Sequence, residues 1–256
     1  DDLRARLSRA IVGQPMPTDV AALDAMVARD DGAALSRRLA GVSDGAQAEL
    51  DLNWERDRLF NGAGFLVAFA YMTDLWRVGT ALPGRQGDQI KQSAALYFVY
   101  AIDLVRLDGV RCADATAPEH RRRQLFAQNQ PLVAFLRGLP RSTRMTIGSL
   151  SLAWESATAT RRRDDPVLCA DGMESMTAGL KAAGDAPLRH VPNAPGTFGR
   201  TYAVPPAPGY RPRFVPAAQS MAEQADRRRA LPAYLTSFLT VPGDSASVPP
   251  PAPPGR

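Results

Sequence analysis

The sequence predicts an all-α protein, a multi-helix bundle followed by an extended, proline-rich C-terminal arm. Apolar residues recur with helical spacing almost throughout residues 1–185. Fifteen of the 22 prolines lie from Pro187 onward, and proline disrupts both helices and central strands. We therefore expect a helical bundle domain over residues 1–185 and a proline-rich arm over residues 186–256.

The composition is that of a folded, mildly basic protein. The chain has 256 residues, of which 45% are hydrophobic and 22% are charged, and its formal net charge is +5. This length is enough for one large core, and these proportions argue against disorder over most of the chain.

The first half of the chain predicts a helical hairpin and then long helices. Apolar residues over 20–27 share one helical face, and the polar break at 29–32 leads into a second short helix. One long helix, or two in series, covers about 46–78. Another covers about 86–107, and its middle, 94–102, is apolar on nearly all sides. All-round apolarity predicts a central position in the bundle.

The second half predicts shorter helices and then the arm. One helix includes residues 121–126, a second follows Pro140, and a third covers 173–183. Within the arm we expect one short helix at about 217–230. The end of the chain, 248–254, has the composition of a polyproline II tail.

Four aromatic residues of the arm are candidates for binding a protein partner: Phe198, Tyr202, Tyr210 and Phe214. Disordered linkers are usually poor in aromatic residues. We therefore expect the arm to lie against a surface, which is either that of its own bundle or that of another chain.

The two cysteines of the chain, Cys112 and Cys169, each open a Cys-Ala-Asp tripeptide in a polar break. We expect them to form a disulfide, which places the protein in an oxidising compartment. A nucleophilic Cys112 with His120 as its base is an alternative, but it leaves Cys169 unexplained. A cytoplasmic protein with two free thiols is a further alternative.

Glu55 and Asp74 are the candidates for an enzyme that uses a carboxylate carried by a helix. The dipeptide Trp54-Glu55 has a counterpart in Trp154-Glu155, and a carboxyl group against an indole can have a raised pKa suited to general acid catalysis. Adjacent side chains of a helix diverge, however. We therefore expect each Trp to face the core and each Glu to face water.

Two further carboxylates, Asp74 and Asp103, lie within apolar helical segments. A carboxylate in such a segment is either rotated outward or paired with an arginine. We expect ion pairs at helical spacing, Asp74 with Arg77 and Asp103 with Arg106.

Several other classes of site are not indicated. The two histidines, His120 and His190, have no partner at metal-ligand spacing, and phosphate-binding loops, dinucleotide fingerprints and nucleophile elbows are absent from the sequence. We predict neither a metal nor a cofactor. Three arginine triplets, at 121–123, 161–163 and 227–229, have acidic neighbours. This pattern is typical of solvated helix faces rather than of nucleic-acid binding.

These observations predict an exported, disulfide-braced helical protein of the bacterial envelope, periplasmic or secreted. Its expected role is that of a non-catalytic binding or accessory subunit that contacts a protein partner through the arm. The start at Asp1-Asp2-Leu3 is what a processed protein would have. The most apolar run, 65–72, is too short for a membrane span, which leaves peripheral association with the envelope open. The alternative is a hydrolase-like enzyme that uses Glu55 or Asp74.

Overall fold

The chain folds into an all-α bundle with one short hairpin, as the sequence predicts. The computed structural model describes residues 2–192 and 199–244 and is 72% helical. The α-helices are Asp2–Ile11 (α1), Val20–Ala28 (α2), Gly32–Ala40 (α3), Gly45–Phe60 (α4), Phe65–Ala81 (α5), Gly84–Leu107 (α6), Thr116–Gln128 (α7), Gln130–Gly138 (α8), Arg141–Thr158 (α9), Pro166–Cys169 (α10), Met173–Ala183 (α11) and Ala217–Leu239 (α12). Short 3-10 helices follow α6 and α9. In the described part of the chain, no helix has the length and apolarity needed to cross a bilayer.

The central helix of the bundle is α6. Phe98, Tyr100 and Ile102 are fully buried, together with most of the helix between Ala94 and Leu107. The α5 helix packs along it, and α7, α8, α9 and α12 cover its other sides. The central position predicted from its all-round apolarity is confirmed.

The predicted helical hairpin is α2 and α3, which form a second, smaller core. Leu23, Leu35 and Leu39 are buried there around Trp54 of α4. Asp30 turns the chain with a φ of 56°, a left-handed conformation that Asp tolerates better than most residues. Asp31 then accepts a hydrogen bond from the backbone N–H of Ala34 and so caps α3.

The segment predicted as one long helix, or two in series, is two helices, α4 and α5. The break between them contains Gly62, which has a φ of +95° and lies against the backbone of Arg161, so that a Cβ there would be 2.6 Å from the carbonyl. The carboxylate of Asp165 accepts hydrogen bonds from the first N–H of α5, at Phe65, and from Leu168 in α10. One side chain thus caps two helices and holds the break closed.

The predicted disulfide between Cys112 and Cys169 is present, with 5.1 Å between the two Cα atoms. It connects the segment after α6 to the end of α10, immediately before α11. A second connection lies beside it, because Phe214 forms an isolated antiparallel bridge with Cys112. The arm therefore contacts the protein's own bundle at Phe214.

The remainder of the arm contains one hairpin in the described residues. Arg189–Val191 (β1) pairs antiparallel with Thr201–Ala203 (β2). Phe198 and the predicted polyproline tail at 248–254 lie outside the described residues.

The helix expected at about 217–230 is longer, since α12 continues to Leu239. Leu231, Leu235 and Leu239 recur every four residues and are buried in the main core. Burial of each such side chain contributes about 1.5–3 kcal/mol, and together they offset the roughly 3 kcal/mol cost of Pro232 inside the helix. The predicted end near residue 230 was wrong, because this apolar stripe packs on the main core and extends the helix past Pro232.

Candidate functional site

Glu55, one of the two carboxylates predicted for catalysis, is completely buried. Neither of its oxygens has a hydrogen-bond partner within the described residues. Burial raises its pKa well above the usual value, and the negative charges of Asp74 and Asp51 raise the pKa further. The expectation that Glu55 faces water was wrong. Trp54 enters the smaller core, as expected of a core-facing side chain, but α4 also packs against α1, α5 and α9, and Glu55 is buried as well.

Asp74, the other carboxylate predicted for catalysis, is also buried, with 4% of its surface exposed. Its Oδ1 accepts from Arg77 at 3.2 Å, which confirms the predicted ion pair. Its Oδ2 has no hydrogen-bond partner among the described residues. Burial raises the pKa of Asp74 by more than the Arg77 guanidinium lowers it.

These two residues belong to a larger cluster of charges between α3, α4 and α5. Arg38 donates hydrogen bonds to Asp19 at 2.6 Å and to Asp51 at 3.0 Å, and Asp51 raises the pKa of both Glu55 and Asp74. The cluster contains four carboxyl groups (Asp19, Asp51, Glu55 and Asp74) and two guanidinium groups (Arg38 and Arg77).

A groove of about 220 Å³ lies beside this cluster, between α3 and α5. Its walls are apolar, with Leu35, Leu39, Leu66 and Phe69 among them, and Asp74 lies at one end. Glu55 does not line the groove. The structure thus brings the two predicted carboxylates together, and of the two only Asp74 lines the groove.

Asp103 is buried between α6 and α9, and its predicted pairing with Arg106 was wrong. The hydroxyl of Ser151 donates a hydrogen bond to Asp103 Oδ2 at 2.5 Å. The Arg106 guanidinium instead stacks over the ring of Tyr234, 4.2 Å from its centroid. Burial raises the pKa of Asp103 to about 7, although the Ser151 hydrogen bond opposes that shift.

Glu155 and Arg162 form a buried ion pair, where the sequence predicted a solvated glutamate and a solvated arginine triplet. Arg162 bonds to Glu155 and to Asp108, each at 2.7 Å, and its side chain is 3% exposed. Arg228 reaches Glu155 from α12 at 2.9 Å. These charges tie α12 to α9 and to the end of α6. By contrast, Arg122 and Arg123 pair with Glu119 on an accessible helix face, as predicted.

The exposed face of α11 consists of three large apolar residues at helical spacing. Met173 is 54% exposed, Met176 is 39% exposed and Leu180 is 44% exposed. Gly179 lies on another side of the helix and is buried against the arm, where a Cβ would collide with the carbonyl oxygen of Pro205. We call Met173, Met176 and Leu180 the α11 face.

The first turn of α11 is held in place by the segment that follows the disulfide-bonded Cys112. Asp114 accepts a hydrogen bond from the backbone N–H of Glu174 at 2.8 Å. Thr116 Oγ1 accepts one from the N–H of Met173, also at 2.8 Å. The helix is therefore fixed at its start by two caps and by the bridge at Cys169.

The arm aromatics predicted to bind a partner lie in different environments. Tyr202 is exposed on β2, close in sequence to the Pro205 contact with α11. Tyr210 is half-buried, and Phe214 is half-buried and packed against the main core. Phe198 lies outside the described residues. Of the three described aromatics, only Tyr202 presents a largely exposed ring near α11.

The sequence predicted the helix at 173–183 but not its exposed face. Apolar residues at positions i, i+3 and i+7 usually indicate the side that packs on a core. The one local signal was Gly179, since glycine within a helix often marks the close approach of another segment.

Comparison of the chain with protein-family models, with curated proteins and with solved structures gave no match in any of the three. Among the described residues, no group of three or more His, Cys, Asp or Glu side chains is arranged to hold a metal ion. The function is therefore inferred from the geometry and chemistry of the sites themselves.

Proposed function

We propose that the protein is an exported binding subunit of the bacterial envelope that docks onto a protein partner through the α11 face and the adjacent hairpin. The observation that carries this proposal is the cluster of three exposed apolar side chains on one stripe of α11. Single exposed apolar residues are common, but a contiguous group marks an interaction surface. Methionine is well suited to such a surface because its flexible side chain adapts to different partners.

The way in which α11 is held supports this role. The disulfide at Cys169 lies four residues before Met173, Asp114 caps the first turn, and Gly179 rests on the arm. A helix fixed in this way loses little conformational freedom when a partner binds, and binding to it is correspondingly stronger.

The charges around the α11 face indicate the chemistry of the partner. Lys181 at the end of α11 is exposed, as are Arg189 and Arg200 on either side of the hairpin. The nearby acid Glu174 is already paired with Arg213, at 2.5 Å. These three exposed basic residues, against one exposed acid at Asp185, fit a partner that presents an amphipathic helix with acidic flanks.

The disulfide supports an exported location. Disulfides form and persist in the periplasm and outside the cell, and they are rare in the reducing cytosol. The hydrolase alternative has less support, because Glu55 does not line the groove, and Asp74, which does, is already bonded to Arg77.

Co-purification from the envelope of the producing cells tests the proposal. We expect Met176→Glu combined with Leu180→Glu to release the partner, because two charges would be buried at the interface. Two other exposed apolar residues serve as controls, Met221 at 65% and Leu150 at 46% exposure. Their substitution by Glu should leave the partner bound. Retention of the partner by the α11 variant, with its thermal unfolding unchanged, would refute the proposal.

A further inference from the structure

We infer that a groove between α7 and α12 binds a small organic carboxylate with an apolar body, and that the Arg106 guanidinium donates hydrogen bonds to the carboxylate. We call this site the α7–α12 groove. It is separate from the α11 face, and its test does not depend on the function proposed for that face.

The α7–α12 groove lies on the face of α6 that carries Arg106, with α7 and α12 as its two walls. Both wall helices begin shortly after the bridge between Cys112 and Phe214, and they meet again where the ring centroids of Phe126 and Phe238 are 5.9 Å apart. The space between these two junctions has a volume of about 660 Å³. Sites for small molecules typically have volumes of roughly 300–1,000 Å³, so the groove is large enough for such a ligand.

The unpaired guanidinium of Arg106 is the first observation. Among the described residues, no carboxylate forms an ion pair with it and no acceptor is bonded to it, and its Nε is buried without a partner. Its two Nη atoms are accessible, and the side chain lines the groove. Asp103 feels the charge of Arg106 but bonds to Ser151 instead. The guanidinium therefore has free donors that a ligand in the groove can reach.

The position of this guanidinium is fixed without any acceptor. It lies over the ring of Tyr234, 4.2 Å from the centroid, and this cation–π contact holds its plane in one orientation. The carbonyl of Arg106 accepts a hydrogen bond from Arg227 of α12 at 3.0 Å, which anchors the backbone as well. A donor fixed in advance loses little conformational freedom when a ligand binds.

The balance of charge in the groove is the second observation. Three arginines line it, and two of them have a counterion that also lines it: Arg122 pairs with Glu119, and Arg227 pairs with Glu223. Among the described residues of the lining, Arg106 is therefore the one charged group without a counterion. A ligand with a single negative charge completes this set.

The lining also indicates the class of anion. A planar guanidinium donates two parallel hydrogen bonds to a carboxylate, which carries one negative charge. Val105, Val110, Pro118 and Val215 line the groove as well and provide apolar surface for the rest of the ligand. A cavity of roughly 150 Å³ accommodates benzene, so the groove has room for an aromatic ring with a short acid chain.

Calorimetric titration with 4-phenylbutanoate tests the inference, with 4-phenylbutan-1-ol and inorganic phosphate as comparisons. We expect saturable binding of one 4-phenylbutanoate per chain. Binding of the alcohol, which lacks the charge, and of phosphate, which lacks the apolar body, should each be at least tenfold weaker. Equal binding of the alcohol would overturn the role of Arg106, and equal binding of phosphate would overturn the apolar subsite. The absence of 4-phenylbutanoate binding would overturn the site.

A pair of arginine variants localises the charge. Arg106→Met should reduce the affinity for 4-phenylbutanoate at least tenfold, because it removes the guanidinium and keeps an unbranched stem of similar length. Arg229→Met should leave the affinity unchanged, because Arg229 is an exposed residue of α12 that pairs with Asp226 and does not line the groove. Undiminished binding to Arg106→Met would show that another group holds the carboxylate.

A measurement on the wild-type protein keeps the test decisive if Arg106→Met does not fold. Nuclear Overhauser effects should connect the ring of bound 4-phenylbutanoate to the methyl groups of Val105, Val110 or Val215, which line the groove. No such effect should reach Leu180, the exposed leucine of the α11 face. Contacts of the ring with Leu180 but with none of these valines would place the ligand elsewhere and overturn the inference.

Discussion

Cys112 and Phe214 face each other in a single antiparallel bridge, so the arm joins the bundle at the same residue that carries the disulfide. Hydrogen bonds on both sides complete this connection. Ala113 donates to the carbonyl of Arg213 at 3.0 Å, and Val215 donates to that of Arg111 at 2.7 Å. The disulfide, the arm and the start of α11 are therefore one structural unit. Loosening one part of it should loosen the others.

Reduction of the disulfide should lower the free energy of unfolding by about 4 kcal/mol, because the bridge closes a long loop between residues 57 positions apart. Urea unfolding with and without a phosphine reductant measures this difference. A Cys112→Ser and Cys169→Ser double variant should unfold like the reduced protein and should not respond to reductant. Equal stability of the oxidised and reduced proteins would show that the bridge is not a brace.

Arg162 should be far more important for stability than its neighbour Arg163. Arg162→Met leaves Glu155 and Asp108 buried without their main partner, and breaking a buried ion pair from one side costs about 3–5 kcal/mol. Arg163 is exposed, so Arg163→Met should change the stability by less than about 0.5 kcal/mol. Urea unfolding of both variants checks this contrast. Similar values for the two would contradict the structural role of the buried network.

Asp103 should make the protein less stable as the pH rises toward neutrality. Its pKa rises from 3.8 to about 7 on folding, so between these values the folded state holds a proton that the unfolded chain has released. Ser151, Glu155, Arg162 and Arg106 are the polar and charged groups that influence this carboxyl group.

Asp103→Asn should remove this part of the pH dependence. Relative to wild type, the variant should gain stability between about pH 4 and pH 7, by up to ~1.4 kcal/mol per pH unit, and the difference should level off above that range. Unfolding in urea at several pH values measures the gain. Parallel curves for the two proteins would show that Asp103 does not titrate in this window.

Glu55→Gln should have little effect on stability at neutral pH, because burial raises the pKa of Glu55 and so favours its neutral form, and glutamine is neutral and has nearly the same shape. Asp51→Asn, one turn earlier in α4, should be clearly destabilising, because Asp51 pairs with Arg38 at 3.0 Å. Thermal unfolding at pH 7 compares the two. A larger loss for Glu55→Gln would mean that Glu55 is ionised in the folded protein.

Much of the fold was predictable because its signals are local. The apolar segment at 94–102 predicted the central helix, and the two cysteines predicted their own bridge. The buried acids were not predictable in the same way. Adjacent side chains of a helix diverge, but this predicts a solvated Glu55 only if that side of the helix faces water. In the structure, α4 packs against three helices, α1, α5 and α9, and Glu55 is buried.

The ion-pair partners of the buried acids also could not be predicted from local sequence patterns. Arg162 and Asp108 are 54 residues apart in the sequence, and Arg228 and Glu155 are 73 apart. The exposed α11 face was not predicted either, because here the local pattern points to the wrong environment. Its apolar spacing is that of a core-facing helix, and only the packing of Gly179 on the arm shows which side is buried.

Photo-crosslinking from single positions in the producing cells tests the docking of a partner on α11 most directly. A photoreactive residue in place of Met173, Met176 or Leu180 should give the same discrete protein adduct, since these side chains share one face. The same residue at Met221, which is more exposed, should give no such adduct. Adducts from Met221 but none from the α11 positions would show that the partner binds elsewhere, and the proposed docking surface would be wrong.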